Sequence, residues 1–291
     1  MDKDCKQCLF NSFDKLLNEK ISNKKTKNAL LDKIKNRITS LNSEILAPEV
    51  AREIHHLISK HLLTNDPYKA EKKLSNNIAL RQYPDLKDMV LKSDNPFNTA
   101  LRLSIAGNIM DFAACPEFFT DTVNYLNKTI DKVLNVTFAI DDSKELQKKL
   151  ASSKTLLFIG DNAGEIVFDR LFLETINHKN VYFAIREKPV LNDATIDDAN
   201  YTGINTVAKI ISNGYDAPST ILEKSSDKFL NIFHSADLII SKGQGNLEGL
   251  INCERDNLYF LLMVKCNVIA RLLEVKKGDI VVKKLLKQFI L

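Results

Sequence analysis

The stretch Lys154-Thr155-Leu156-Leu157-Phe158-Ile159-Gly160-Asp161-Asn162-Ala163-Gly164-Glu165-Ile166-Val167-Phe168-Asp169-Arg170 decides the fold. Its apolar opening has the length and composition of a buried strand. The chain then turns through Gly160-Asp161-Asn162, and Ile166, Val167, Leu171 and Leu173 follow at helical spacing. A strand, a tight turn and a helix in that order put the turn at the carboxyl edge of a parallel sheet, where open α/β folds bind their ligands. Here that edge carries Asp161, Asn162 and Glu165, three oxygen-bearing side chains that suit a hard divalent cation better than a bare phosphate.

Downstream of this stretch, apolar runs at 181–185, 207–211, 238–240 and 258–264 alternate with helix-length segments. That alternation is the signature of βαβ units around a buried parallel sheet. Upstream, the chain reads as helices at about 9–20, 27–46, 48–63, 67–80, 84–92, 97–112, 116–134 and 142–150. Pro67 and Pro116 stand at first-turn positions of two of them. Of the nine glycines only Gly107 precedes residue 150, and tight strand-to-helix turns need glycine where helix bundles do not. The expected fold class is therefore α/β. A doubly wound, mostly parallel sheet with helices on both faces occupies residues 151–291, and an all-helical N-terminal portion occupies residues 1–150.

Composition narrows the function. The 291 residues are 44% hydrophobic and 27% charged, as in an ordinary globular protein, and the net charge of +4 leaves no basic stripe for nucleic acid. The longest apolar run, 258–264, is far too short to span a bilayer. The first residues, Met1-Asp2-Lys3-Asp4-Cys5, have neither the basic start nor the apolar core of a signal peptide. A cytoplasmic location with the five cysteines reduced is the expectation.

Four polar clusters fall at predicted element ends: Gly160 to Glu165, Arg186 to Asp198, Ser241 to Glu248, and Gly107-Asn108 with Asp111. Each has a structural alternative. Asp161 or Asn162 can cap the next helix, and Asp193 can cap one beginning near Ala194. Arg186 and Lys188 can be a solvated strand end. Asn108 and Asp111, three apart on a helix, share a face and suit a buried hydrogen-bonded pair as well as a site. Gly243-Gln244-Gly245 lacks dinucleotide-turn spacing. Cys5 and Cys8 have zinc-ligand spacing without a second pair, and His55, His56 and His61 are expected at a surface or interface of the helical half. Three clusters at the carboxyl edge of one sheet nevertheless converge by topology, which favours a site.

In this order the clusters resemble the damage-control phosphatase family, whose members are also described as ARMT-like metal-binding domain proteins. The resemblance rests on Gly160 to Glu165, on Arg186 with Pro189 to Thr195, on Ser241-Lys242-Gly243 with Gly245-Asn246, and on Gly107-Asn108 with Asp111-Phe112. The length and the early cysteine pair match its smaller, prokaryote-type branch. What the resemblance implies is a metal-dependent phosphatase acting on a small phosphorylated metabolite. One divalent ion (Mn, Ni, Co or Mg) would be held by Asp161, Asn162 and Asp193, with Asp197 and Asp198 outside the motif. Lys242 joins those three in catalysis. Asn108, Asp111, Glu165, Arg186, Asn192, Lys242 and Gly243 would contact substrate, with Lys242 and the Gly243 region on phosphate oxygens. Either Glu165 or Asp198 would accept the proton from an activated water. The sequence argues against a haloacid-dehalogenase mechanism, because Ala163 stands where its second aspartate is needed. Two other readings stay open, an S-adenosylmethionine-dependent carboxyl methyltransferase and a non-catalytic metal- or metabolite-binding protein.

Overall fold

The computed structural model describes residues 1–41, 45–110 and 122–285. Six helices come first: α1 Lys3–Lys20, α2 Lys24–Thr39, α3 Ala47–Leu62, α4 Lys69–Leu91, α5 Pro96–Ala106 and α6 Thr122–Asn135, with a 3-10 turn Gly107–Met110 after α5. Then follow β1 Ile140–Asp141, α7 Ser143–Ser152, β2 Leu156–Ile159, α8 Glu165–Ile176, β3 Val181–Ile185, α9 Ile196–Tyr201 and β4 Lys209–Ser212. The chain closes with α10 Asp227–Ser235, β5 Leu238–Lys242, α11 Gly243–Leu250, β6 Leu258–Met263, α12 Asn267–Leu273 and β7 Ile280–Lys284.

Among the described residues the strands form one sheet in the order β1-β7-β6-β5-β2-β3-β4. Every neighbouring pair is parallel except β6 with β7. This is the doubly wound α/β class expected from the alternating pattern. Strand alternation sorts the core into two layers. Phe158, Phe183 and Ile240 face one cluster that also takes Phe13, Ile34, Ile54, Leu101 and Phe172 from the helices. Leu157, Ile159 and Ile239 face a second cluster with Phe229, Phe233 and Leu247. β2 and β5 are buried on both faces, which is why they read as unbroken apolar runs.

Three details differ from the sequence reading. β1, of two residues, pairs with β7 at Ile140–Val281; it is too short to leave a periodic signal. β7 ends in Lys283 and Lys284, which hid it. α4 is one helix where two were expected, with Pro84 inside it. An interior proline costs about 3 kcal/mol, but Ile78 and Ala79 before it and Leu86 and Val90 after it are all buried in the same core. Tertiary packing outweighs the lost hydrogen bond.

This topology positions the site. β2 lies between β3 on one side and β5 on the other. Their connections leave in opposite directions, which makes the β2/β5 boundary a switch point with a crevice at the carboxyl ends.

Candidate functional site

Three loops leave those carboxyl ends side by side: Gly160 to Gly164 after β2, Arg186 to Thr195 after β3, and the direct step from Lys242 into α11. The first two are zipped together by backbone bonds, from Ala163 N to Asn192 O (2.9 Å) and from Ala194 N to Asp161 O (2.8 Å). A bridge between Asn162 and Asp193 lies in the same zipper. Asp161, Asn162, Asn192 and Asp193 therefore stand together, each under 10% exposed. From the third loop Gly243, at φ +78°, comes so close to Asp161 that an added Cβ would lie 1.9 Å from Oδ2. Only glycine leaves that carboxylate room against the start of α11.

The polar contacts are dense. Asn162 Nδ2 donates to Asp161 Oδ2 and to Glu165 Oε2, both at 2.9 Å. Asn108, from the 3-10 turn of the helical half, donates into the same gap, to Glu165 at 3.1 Å and 3.2 Å and to Asp161 Oδ2 at 3.4 Å. Asn192 Nδ2 donates to Asn162 Oδ1 at 2.8 Å. Arg186, 1% exposed, donates through Nε to Asp193 Oδ2 at 2.6 Å and through Nη1 to Thr220. Its Nη2 lies 3.6 Å from Asp161 Oδ1 and makes no hydrogen bond.

Four buried carboxylates, Asp161, Glu165, Asp169 and Asp193, thus meet two buried cations, Arg186 and Lys242. Burial, then the charges of Glu165 and Asp193, push Asp161 well above the usual carboxylate range, against the weaker pull of Arg186 and Lys265. Burial alone would also raise Glu165, but Lys242, Lys265 and the Asn162 hydrogen bond hold it below its ordinary value. Burial pushes Asp169 up to about 6 despite Lys242 beside it. Lys242 is raised, because the two carboxylates outweigh its own burial.

The structure corrects the orientation expected for Lys242. Its ammonium is fully buried and donates to Ser104 O (2.9 Å), Glu165 Oε1 (2.8 Å) and Asp169 Oδ1. A lysine has three N–H donors, and all three are taken. It neutralises carboxylates beneath the site instead of reaching for a phosphate oxygen. Nor is Asp198 placed as a proton acceptor: it closes the capping box of α9 with Thr195 and pairs with Lys72 at 3.2 Å. Glu165 is 0% exposed and salt-bridged. Asp197 is exposed, and Asp111 lies outside the described residues. No helix among the described residues is long and apolar enough to cross a membrane.

Comparison with known proteins places the chain in a family. A family model, the damage-control phosphatase ARMT1-like domain, matches residues 1–281. The chain belongs to that family. It is 36% identical over 244 residues to the damage-control phosphatase PH1575 of Pyrococcus horikoshii, covering 82% of each chain. It is 32% identical over 250 residues to a damage-control phosphatase of Archaeoglobus fulgidus, covering 83% of this chain and 84% of that one. An uncharacterized protein of Methanocaldococcus jannaschii, MJ0202, shares 38% over 240 residues, 79% of this chain and 77% of its own. The crystal structure of the P. horikoshii protein, described as a DUF89 family member, superposes with a TM-score of 0.89 over 98% of this chain and 99% of its own. Over that structural superposition the identity is 30%.

In this ARMT1-like domain the sequence reading missed several supports of the site. Asp169 and Ser104 complete the Lys242 cage, with Ser104 Oγ donating to Asp169 at 2.6 Å. Asp169 stands four residues after Glu165 on α8, a same-face spacing that was visible in the sequence. Asn246, singled out in the third cluster but given no role there, donates to Gly160 O at 3.1 Å and to Lys242 O at 2.8 Å, tying β2 to α11. Asn76 of α4 accepts from Gly164 N at 2.7 Å and donates to Asp198 at 2.9 Å; nothing in a single sequence links residue 76 to residue 164.

Proposed function

We propose that this protein is a metal-dependent phosphatase that hydrolyses a small phosphorylated metabolite such as a sugar phosphate. The observation that carries the reading is the meeting of Asp161, Asn162 and Asp193 from two adjoining loops beside an Arg186 nitrogen that has no hydrogen-bond partner. The donor set fits a hard divalent cation, Mn²⁺, Ni²⁺, Co²⁺ or Mg²⁺, with two carboxylates and one amide oxygen. The buried charge fits it too, because the cluster holds more carboxylates than buried cations. Asp161 and Asp193 supply the two carboxylates, and the Asn162 oxygen is the third donor. That oxygen faces Asn192 here, and turning the Asn162 amide over, with Asn192 following, presents it towards Asp161 and Glu165.

A bound cation supplies positive charge against the phosphoryl group and makes water more acidic. The protein's own groups do the rest. Arg186 Nη2 holds a phosphate oxygen while Nε keeps Asp193 in place. The first N–H groups of α11, brought against Asp161 by Gly243, face the same oxygens. Asn108 reaches in from the helical half with an Oδ1 that has no partner, suited to a substrate hydroxyl. Lys242 holds Glu165 ionised under the site.

The test is phosphate release from a panel of sugar phosphates with each of the four metals and with chelator. Hydrolysis is expected only with metal, and Asp161→Ala or Asp193→Ala is expected to lower it by about 100-fold or more. Failure to release phosphate with any of the metals, or full activity in Asp161→Ala, would sink the reading.

A further inference from the structure

The loop that brings Asp193 into the site contains a backbone oddity. Leu191 has φ +45°, a left-handed conformation that a branched side chain adopts only under constraint. It is the second residue of a turn closed by Asp193 N donating to Val190 O at 3.1 Å. The next residue, Asn192, holds Asn162 at 2.8 Å. The strain therefore sits one residue before one site contact and two before a proposed metal ligand.

What holds Leu191 comes from the other half of the chain. Its backbone N–H donates to His55 Nδ1 of α3 at 3.3 Å, a bond across 136 residues. His55 is 1% exposed and lies at the interface between α3 and this loop, the second of the two places expected for it. It lines an open pocket of about 840 Å³ with Ser59, Lys60, Lys188 and Pro189, while Leu191 itself packs, partly buried, against the main apolar cluster. With Nδ1 accepting from Leu191, the ring proton is on Nε2. Burial, then the neighbouring His56, lowers His55 to about 4, which leaves Nδ1 an acceptor at neutral pH.

We propose that His55 is a positioning residue for the metal loop: by accepting the Leu191 N–H it holds the left-handed turn that sets Asn192 and Asp193 against Asn162. The inference rests on the metal reading above and names the residue of the helical half on which that site depends. It makes α3 part of the site without touching metal or substrate.

Two isosteric variants separate the acceptor from the bulk of the ring. His55→Asn sets its oxygen near the Nδ1 position, whereas His55→Gln carries it to the Nε2 position. Mn²⁺ affinity is read by calorimetry without substrate, and amide exchange of the peptide containing Leu191 is read by mass spectrometry in metal-free protein. His55→Gln is expected to weaken Mn²⁺ binding by about 10-fold or more and to speed exchange at Leu191, while His55→Asn stays close to wild type in both. Equal melting temperatures of the two variants would show that the difference is not one of folding. Wild-type affinity and exchange in His55→Gln would overturn the inference and leave the metal reading standing. A wild-type protein that binds no Mn²⁺ would overturn both.

Discussion

Asp161 and Gly243 show how far a single position can carry the site. The added methyl of Gly243→Ala would meet Asp161 Oδ2 at 1.9 Å, on a backbone at φ +78° that L residues disfavour. This variant is expected to lose phosphatase activity by about 100-fold or more, measured alongside Asp161→Ala, because the displaced carboxylate is the same in both. A second position makes a test by pH. Glu248 on α11 is half-buried, and burial without a compensating cation pushes it up to about 7 from an ordinary 4.5. A carboxyl raised on folding stabilises the fold below its unfolded pKa and loses that contribution as pH rises through the folded value. Glu248→Gln should therefore match wild type in thermal stability near pH 4.5 and exceed it at pH 8, by on the order of 1–2 kcal/mol after discounting for partial exposure. At this scale the sequence was informative about identity and silent about direction. Asp161, Asn162 and Asp193 could be picked out because each follows a strand, whereas the burial of Lys242 among Ser104, Glu165 and Asp169 depends on a helix more than 130 residues away.

Between elements, α4 acts as a brace. Asn76 joins it to the N-terminal turn of α8 through Gly164 N and to α9 through Asp198. Asn76→Ala leaves a buried N–H without its acceptor, at a cost of about 1–3 kcal/mol. The expected drop in melting temperature is roughly 2–10 °C, read by calorimetry; an unchanged value would mean that α8 is held by apolar packing alone. Most elements were legible from periodicity, since β2, β3 and β5 are buried on both faces and carry continuous apolar runs. β1 and the continuity of α4 through Pro84 were not, because both are decided by packing partners rather than by local pattern.

Across the whole molecule one apolar cluster runs from Phe13 in α1 to Val282 in β7. The helical portion and the sheet are therefore expected to unfold in one cooperative transition, and residues 151–291 alone should expose the face lined by Phe158, Phe168 and Phe172 and fail to fold. Two separate transitions in scanning calorimetry would contradict this. The same packing explains the reach of Asn108 and His55 into a site built on strand ends: the helices before residue 150 cover that edge of the sheet. The most direct measurement of the metal reading is an anomalous difference map from a crystal soaked in Mn²⁺. A single peak bounded by Asp161, Asn162 and Asp193 is the expected result, and a map with no peak there, or with manganese bound only elsewhere, would contradict it.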